Sequence, residues 1–186
     1  MYDLRIPKDR VAVLIGKEGS IKKEIESGTK TKIDVDSKEG EVTLQGKDAL
    51  GLYTAREIVR AIGRGFNPEV ALLLLKGDYI YESIDLTEHV GKEKNHLERV
   101  RGRIIGREGK SRGLIEELTE AYVVVYGKSV GILGLTDSVA LARTAIDMLL
   151  HGSPHSSVFS MLERKRRAMK QARVMGKDLD TDFVSE

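Results

Sequence analysis

Arg99-Val100-Arg101-Gly102-Arg103-Ile104-Ile105-Gly106-Arg107-Glu108-Gly109-Lys110-Ser111-Arg112 is the stretch that decides the fold. It carries six basic side chains and one acid, Glu108, with Gly106 and Gly109 bracketing the centre. Leu114, Ile115 and Leu118 follow at helical spacing. Ninety residues earlier stands Ile15-Gly16-Lys17-Glu18-Gly19, followed by Ile21 and Ile25. The chain reads as two copies of one module, each built round a Gly-x-x-Gly loop.

Working outward from the first loop, Tyr2 to Ile6 is a short strand ended by Pro7, which cannot donate to a ladder. Asp9 is placed to cap a helix over Arg10 to Ile15, and Gly16 to Gly19 break it. A second helix over Ser20 to Glu26 is expected to stop at Gly28. Ile33 and Val35 alternate on one strand and Val42 and Leu44 on the next, with a turn over Ser37 to Gly40. Lys47 to Ala61 has the pattern of a longer amphipathic helix. The order β-α-α-β-β-α recurs from Tyr79. It runs through a helix over Leu97 to Ile105, the second loop, strands over Tyr122 to Tyr126 and Ser129 to Gly134, and a helix capped by Thr136 that ends at Leu150. A polar insert, Thr87 to Asn95, has no counterpart in the first copy. The expected division is a first domain over 1–66, a linker helix over 67–77 with Pro68 in its first turn, a second domain over 78–152, and a C-terminal basic helix and acidic tail over 153–186.

Composition narrows the function. Charged residues are 32% of the chain and hydrophobic residues 40%, the balance of a globular protein. Net charge is only +2, so affinity for nucleic acid has to come from clusters such as 99–112 and 163–173, while 178–186 is acidic. With no Cys there is no disulfide, thiolate metal site or Cys nucleophile. The longest apolar run, Val70 to Leu75, is too short to span a bilayer, and the charged N-terminus shows no signal peptide. A cytoplasmic protein with no membrane partner is expected.

The loop itself carries the chemistry. Two glycines three apart let a ligand approach the backbone, and the chain then enters a helix whose first N–H groups are unpaired. Such a helix mouth attracts anions. Lys17 and Arg107 add a cation, so each loop reads as a clamp for a phosphate backbone, beside a groove lined by aliphatic side chains. Lys22 and Lys23 flank the first loop, against a denser cluster at the second. Gly109-Lys110-Ser111 ends like a Walker A loop, but that motif needs Gly five residues before its last Gly, where Ile104 stands. His151 and His155 are separated by Gly152 and Pro154 and read as helix-end or turn residues, not metal ligands. Tyr122 and Tyr126 read as core or cross-strand residues rather than stacking platforms. No spacing supports a catalytic triad or paired carboxylates, so no enzyme activity and no cofactor are expected. The basic helix, with Arg164, Lys165, Arg166, Arg167, Lys170 and Arg173, is open to two readings: a solvated face, or contact with RNA or an acidic partner.

These residues resemble KH domains of the eukaryotic, type I topology, which hold about four nucleotides of single-stranded nucleic acid on such a loop. The resemblance implies an α+β fold. Two tandem type I KH domains (β-α-α-β-β-α) each have a three-stranded antiparallel sheet with helices on one face, and a basic helix follows. Arg101 to Arg112, Ile115 to Thr119, Tyr126-Gly127-Lys128 and His155 to Arg167 further resemble the archaeal and eukaryotic partner-of-Nob family of small-subunit ribosome-assembly factors. That likeness implies binding to single-stranded RNA near the 3′ end of small-subunit (16S-type) rRNA during pre-rRNA processing. The implied partners are the Nob endonuclease and, in archaea, the alpha subunit of initiation factor two. Eukaryotic members often lack the first Gly-x-x-Gly, whereas Gly16 to Gly19 keep it here, which points to an archaeal form with two working grooves. By the same likeness Gly16, Lys17, Glu18, Gly19 and Gly106, Arg107, Glu108, Gly109 grip the sugar–phosphate chain. Arg103 and Ile104 would line the groove from the first helix, and Lys110 and Arg112 from the second. The strand around Val123 and Val125 would offer backbone groups to base edges, as Ile33 to Val35 would in the first copy. Arg164, Lys165 and Arg167 are added as RNA contacts. The alternative is a scaffold that docks an initiation factor or nuclease, with RNA secondary.

Overall fold

A computed structural model describes residues 1–175, without the side chain of Arg173; the acidic stretch 178–186 lies outside the described residues. In the first half, β1 (Tyr2–Arg5), β2 (Thr31–Asp36) and β3 (Glu41–Gly46) form an antiparallel sheet in the order β1-β3-β2. Three helices cover one face: α1 (Lys8–Ile15), α2 (Ser20–Thr29) and α3 (Ala49–Gly63). Strand alternation turns Ile33, Val42 and Leu44 inward to meet Leu14, Ile25, Ile58 and Ile62, all fully buried. The opposite face carries Asp3, Lys32, Asp34 and Gln45 and is open to solvent.

Local chemistry moves several expected boundaries. α1 starts at Lys8 after Pro7, so Asp9 lies inside the first turn and caps nothing. α2 runs through Gly28, whose missing Cβ leaves room for Leu75, 2.9 Å from that position; the helix ends at Lys30, held in the left-handed region at φ 53°. Asp48, not Lys47, opens α3, its carboxylate accepting from the Gly51 N–H at 2.9 Å. The leucine-rich linker is one α-turn, α4 (Pro68–Ala71), continued as a 3₁₀ stretch to Lys76, with Leu74 buried in the first core.

The second half repeats the plan: β4 (Tyr79–Asp85), β5 (Tyr122–Tyr126) and β6 (Ser129–Leu135) in the order β4-β6-β5. Their helices are α5 (Leu86–Val90), α6 (Lys94–Ile105), α7 (Lys110–Thr119) and α8 (Thr136–Leu150). The expected polar insert is therefore mostly helical, and Thr136 is the first residue of α8 rather than its cap. α9 (His155–Val174) lies on α7 and α8, with Val158 and Leu162 fully buried.

The two sheets are not treated alike. The face of β4-β6-β5 turned away from its own helices is covered by the first half. Phe66, 1% exposed, meets Tyr81 edge-on at 5.9 Å, and Leu133 and Val124 join the first core. Gly131 makes room for the ring: a Cβ there would stand 2.6 Å from Phe66. At the rim the Tyr126 hydroxyl donates to Asp9 at 2.7 Å.

Candidate nucleic-acid interface

The two loops share one backbone. In the first, Gly16, Glu18 and Gly19 have φ of 72°, 55° and 77°; in the second, Gly106, Glu108 and Gly109 have 74°, 54° and 76°. Three left-handed residues in four turn the chain sharply out of α1 or α6 and into α2 or α7. The leading glycine is required by space as well as by φ. A Cβ on Gly16 would lie 2.6 Å from the Ile21 side chain, and one on Gly106 would lie 2.6 Å from Ser111 Cβ. The second glycine faces outward; around Gly109 nothing lies within 4 Å of a Cβ position. Glu18 and Glu108 hold left-handed conformations that cost a residue with a Cβ of the order of 1–3 kcal/mol. Both copies keep this conformation, as they keep the left-handed Lys30 and Glu120 that end the following helices.

The first N–H of each following helix, on Ser20 or Lys110, returns to the carbonyl of Lys17 or Arg107 within the loop. Gly19 and Gly109 are the N-caps of α2 and α7, neither start has a side-chain cap, and no acid occupies either first turn. The other N–H groups of each first turn and the dipole are thus directed at whatever crosses the loop. Lys17, Glu18, Arg107 and Glu108 are exposed there, with a 3.6 Å ion pair between Lys110 and Glu108 in solvent.

Among the described residues β5 pairs only with β6, and β2 only with β3, so each has a free edge along its groove. The structure places a carboxylate on that edge. Glu116 Oε1 accepts from the Val123 N–H at 2.8 Å, and Glu26 Oε1 accepts from the Ile33 N–H at 2.7 Å. The spacing of ninety residues holds for both members of the pair. Of the backbone groups expected to meet bases around Val123 to Val125, the Val123 N–H is therefore occupied, and the Val123 side chain is fully buried. By strand period the Val123 carbonyl and the backbone groups of Val125 also face this edge. Glu116 also lies 3.8 Å from the Arg112 guanidinium, one helical turn back, and so holds that cation beside the edge.

Two more expected groove residues lie elsewhere. Ile104 is fully buried in the second core. Arg103 turns away, donating to the carbonyls of Leu149 at 3.3 Å and Ser153 at 2.6 Å, where α8 ends. Arg10 does the same in the first half, to Ile62 at 2.8 Å and Phe66 at 2.6 Å. These arginines tie helices together. Residues two apart lie about 200° apart round a helix, so Arg101 occupies the other flank of α6, in line with Ile105 and the loop. Its Nε is buried and has no hydrogen-bond partner. The matching residue in the first half is Val11, buried in the core. Aligning the two copies would have exposed this difference.

α9 packs against α7 and α8. Arg166 pairs with Glu117 of α7 at 3.7 Å, and Arg164, Lys165 and Arg167 are exposed. His151 contacts the Asp147 carbonyl at 2.7 Å and His155 the Arg103 carbonyl at 2.8 Å, both helix-end roles. Among the described residues no three His, Cys, Asp or Glu side chains group to hold a metal, and no helix is long and apolar enough to cross a membrane.

Two antiparallel β-α-α-β-β-α units, each with a left-handed Gly-x-x-Gly turn beside a free strand edge, define a tandem pair of type I KH domains. The model of the eukaryotic type KH-domain (KH-domain type I) that represents the second KH domain of PNO1 matches residues 80–167, and the general KH domain model matches residues 2–61. A KH domain-containing protein of Methanocaldococcus jannaschii is 49% identical, covering 98% of this chain and 82% of that protein. The Pre-rRNA-processing protein PNO1 of Candida albicans is 31% identical over 67% of this chain and 45% of its own length, so the chain spans about half of that relative. The solved a/eIF2alpha-aDim2p-rRNA complex from Pyrococcus horikoshii OT3 contains a chain with 50% identity and a TM-score of 0.82, over 90% of this chain and 94% of that one. The chain belongs to the PNO1/Dim2 family of tandem KH-domain proteins.

Proposed function

We propose that the chain binds single-stranded RNA, with the 3′ region of small-subunit rRNA as its ligand during pre-rRNA processing, and that it works in the cytoplasm without catalytic chemistry of its own. The observation that carries this reading is the uncapped helix mouth behind a loop whose strained backbone is the same in both copies. Phosphates lie on Gly106 to Gly109 and the first turn of α7. Arg101, Arg107, Lys110 and Arg112 supply the cations, and bases lie along the edge at Val125. Gly16 to Gly19, with Lys17, Lys22 and Lys23, form a weaker second clamp. Relatives named as pre-rRNA-processing proteins, and the relative solved with rRNA, support the choice of ligand. That same complex supports the alpha subunit of initiation factor two as a partner, and the family likeness adds the Nob endonuclease.

Titration of a labelled single-stranded RNA tests this. Affinity should fall steeply with salt, because released counterions supply much of it. Replacing Arg107 and Glu108 together by Asp leaves residues that tolerate the left-handed turn but repels phosphate. At least a tenfold loss is expected; unchanged affinity would remove the second groove from the proposal. A docking role for the first half has its own support. Leu50 and Tyr53 on α3 are 72% and 50% exposed, and Arg56 sits 5.1 Å from the rings of both Tyr2 and Tyr53. Exposed aromatic and Arg side chains of this kind anchor protein interfaces.

A further inference from the structure

The join between the halves holds a feature that neither groove explains. A cleft of about 420 Å³ is lined by Leu4, Arg5, Ile6, Pro7, Arg60, Gly63 and Arg64. Three arginines and no acidic residue are among its lining residues. Arg60 and Arg64 suit the end of α3, where cations meet the negative pole of the helix. Arg5 comes from a strand and has no such reason to be there. Each arginine is steadied from outside the cleft: Arg60 by the buried Glu57 at 3.1 Å, Arg64 by the Ser129 hydroxyl at 3.3 Å, and Arg5 by the exposed Glu39 at 3.4 Å. All three remain exposed.

The cleft also lies where the second groove ends. Arg64 reaches Ser129, which faces Tyr126, the last residue of the free strand β5. Tyr126 packs against the position of Gly65, next to Arg64, and bonds to Asp9 just beyond Pro7. The nearby acids are engaged: Asp9 by Tyr126, and Asp85 by the N–H and hydroxyl of Thr87 at 2.8 and 2.7 Å. A KH groove holds about four nucleotides, so a longer strand must leave it past one of its ends.

We infer that the cleft between β1 and the end of α3 is a separate phosphodiester site, which takes the backbone of RNA running off β5 past Tyr126. This rests on the RNA-binding reading above and adds the path of the strand beyond the groove. Arginine suits the task, since its planar fork pairs with phosphate oxygens bidentately.

The test compares an unstructured RNA of about four nucleotides, the length one groove holds, with one about three times as long. Each is titrated against the wild-type chain, the Arg5→Ser/Arg64→Ser variant and the Arg5→Lys/Arg64→Lys variant. The Ser variant should bind the long RNA at least fivefold more weakly and the short RNA unchanged. Its salt slope on the long RNA should fall by about 1.4, the value for two lost phosphate contacts on a single strand. The Lys variant should restore most of that loss. Equal effects on both lengths, or none on either, would overturn the inference. So would an unchanged RNA affinity with lost binding of an acidic protein partner. If neither RNA binds the wild-type chain, the groove reading has failed, and that result is distinct from failure of the cleft alone.

Discussion

The two halves share a backbone and differ in what surrounds it. Both keep the left-handed glutamate in the loop, the left-handed residue that ends the following helix (Lys30, Glu120), the carboxylate on the strand edge and the arginine clamp on two helix-end carbonyls. The side chains then diverge. Val11 is core, whereas Arg101 is an unpartnered cation. Arg112 is paired with Glu116, and Lys22 stands in its place in the first copy. The first sheet shows water a polar face, while the second is buried on both sides. Duplication preserved the parts that shape an anion cradle. Specialisation went into charge in the second half and into exposed surface in the first.

Exchanging features between the halves tests that division. The largest effect is expected for Val11→Arg, which puts the second half's cation into the first core. An unpaired buried charge should cost several kcal/mol and show as a lowered urea midpoint. Phe66→Ala should cost about 3–5 kcal/mol and uncouple the halves, so that one unfolding transition becomes two. The reciprocal exchange, Arg101→Val, should leave the midpoint nearly unchanged while weakening RNA binding roughly tenfold, the loss of one charge-assisted contact. Unchanged RNA affinity would return Arg101 to a structural role. Glu116→Gln removes a negative charge from the groove but keeps an acceptor for the Val123 N–H. Stability should fall by about 1 kcal/mol and RNA affinity should rise a fewfold. Glu26→Gln should match the stability loss and raise RNA affinity less than Glu116→Gln does, since the first clamp is the weaker one.

The smallest effect concerns the rim of the join. The hydrogen bond to Asp9 holds the Tyr126 hydroxyl above the ordinary phenol pKa. A group raised in the folded state contributes stability that is complete below its unfolded pKa, and the contribution disappears as pH rises through the folded value. Wild type should therefore lose its advantage over Tyr126→Phe, about 1 kcal/mol at neutral pH, only in alkali above pH ~10. A difference between the two proteins that stays constant across that range would dissociate the rim contact from the hydroxyl.

The repeat, the element order and the loops were legible because glycine pairs and apolar periodicity are local signals. Gly16 and Gly106 announce a turn wherever they fall in space. Gly28 was misread for the complementary reason: a glycine also serves where a distant side chain, here Leu75, needs its volume. Arg103 and Arg101 look alike in sequence, both basic and both just before the loop. One flank of α6 faces the end of α8, the other holds Arg101 with its Nε buried and unpartnered, and nothing in residue type distinguishes them.

The linear order of residues was enough to place two loops of one design, since a left-handed turn and a helix mouth are made by neighbours along the chain. It was silent on the fixed join between them. Phe66 over Gly131, Tyr126 on Asp9 and three arginines round one cleft bring together residues far apart in sequence, and only packing against a second sheet face could decide where each of them points.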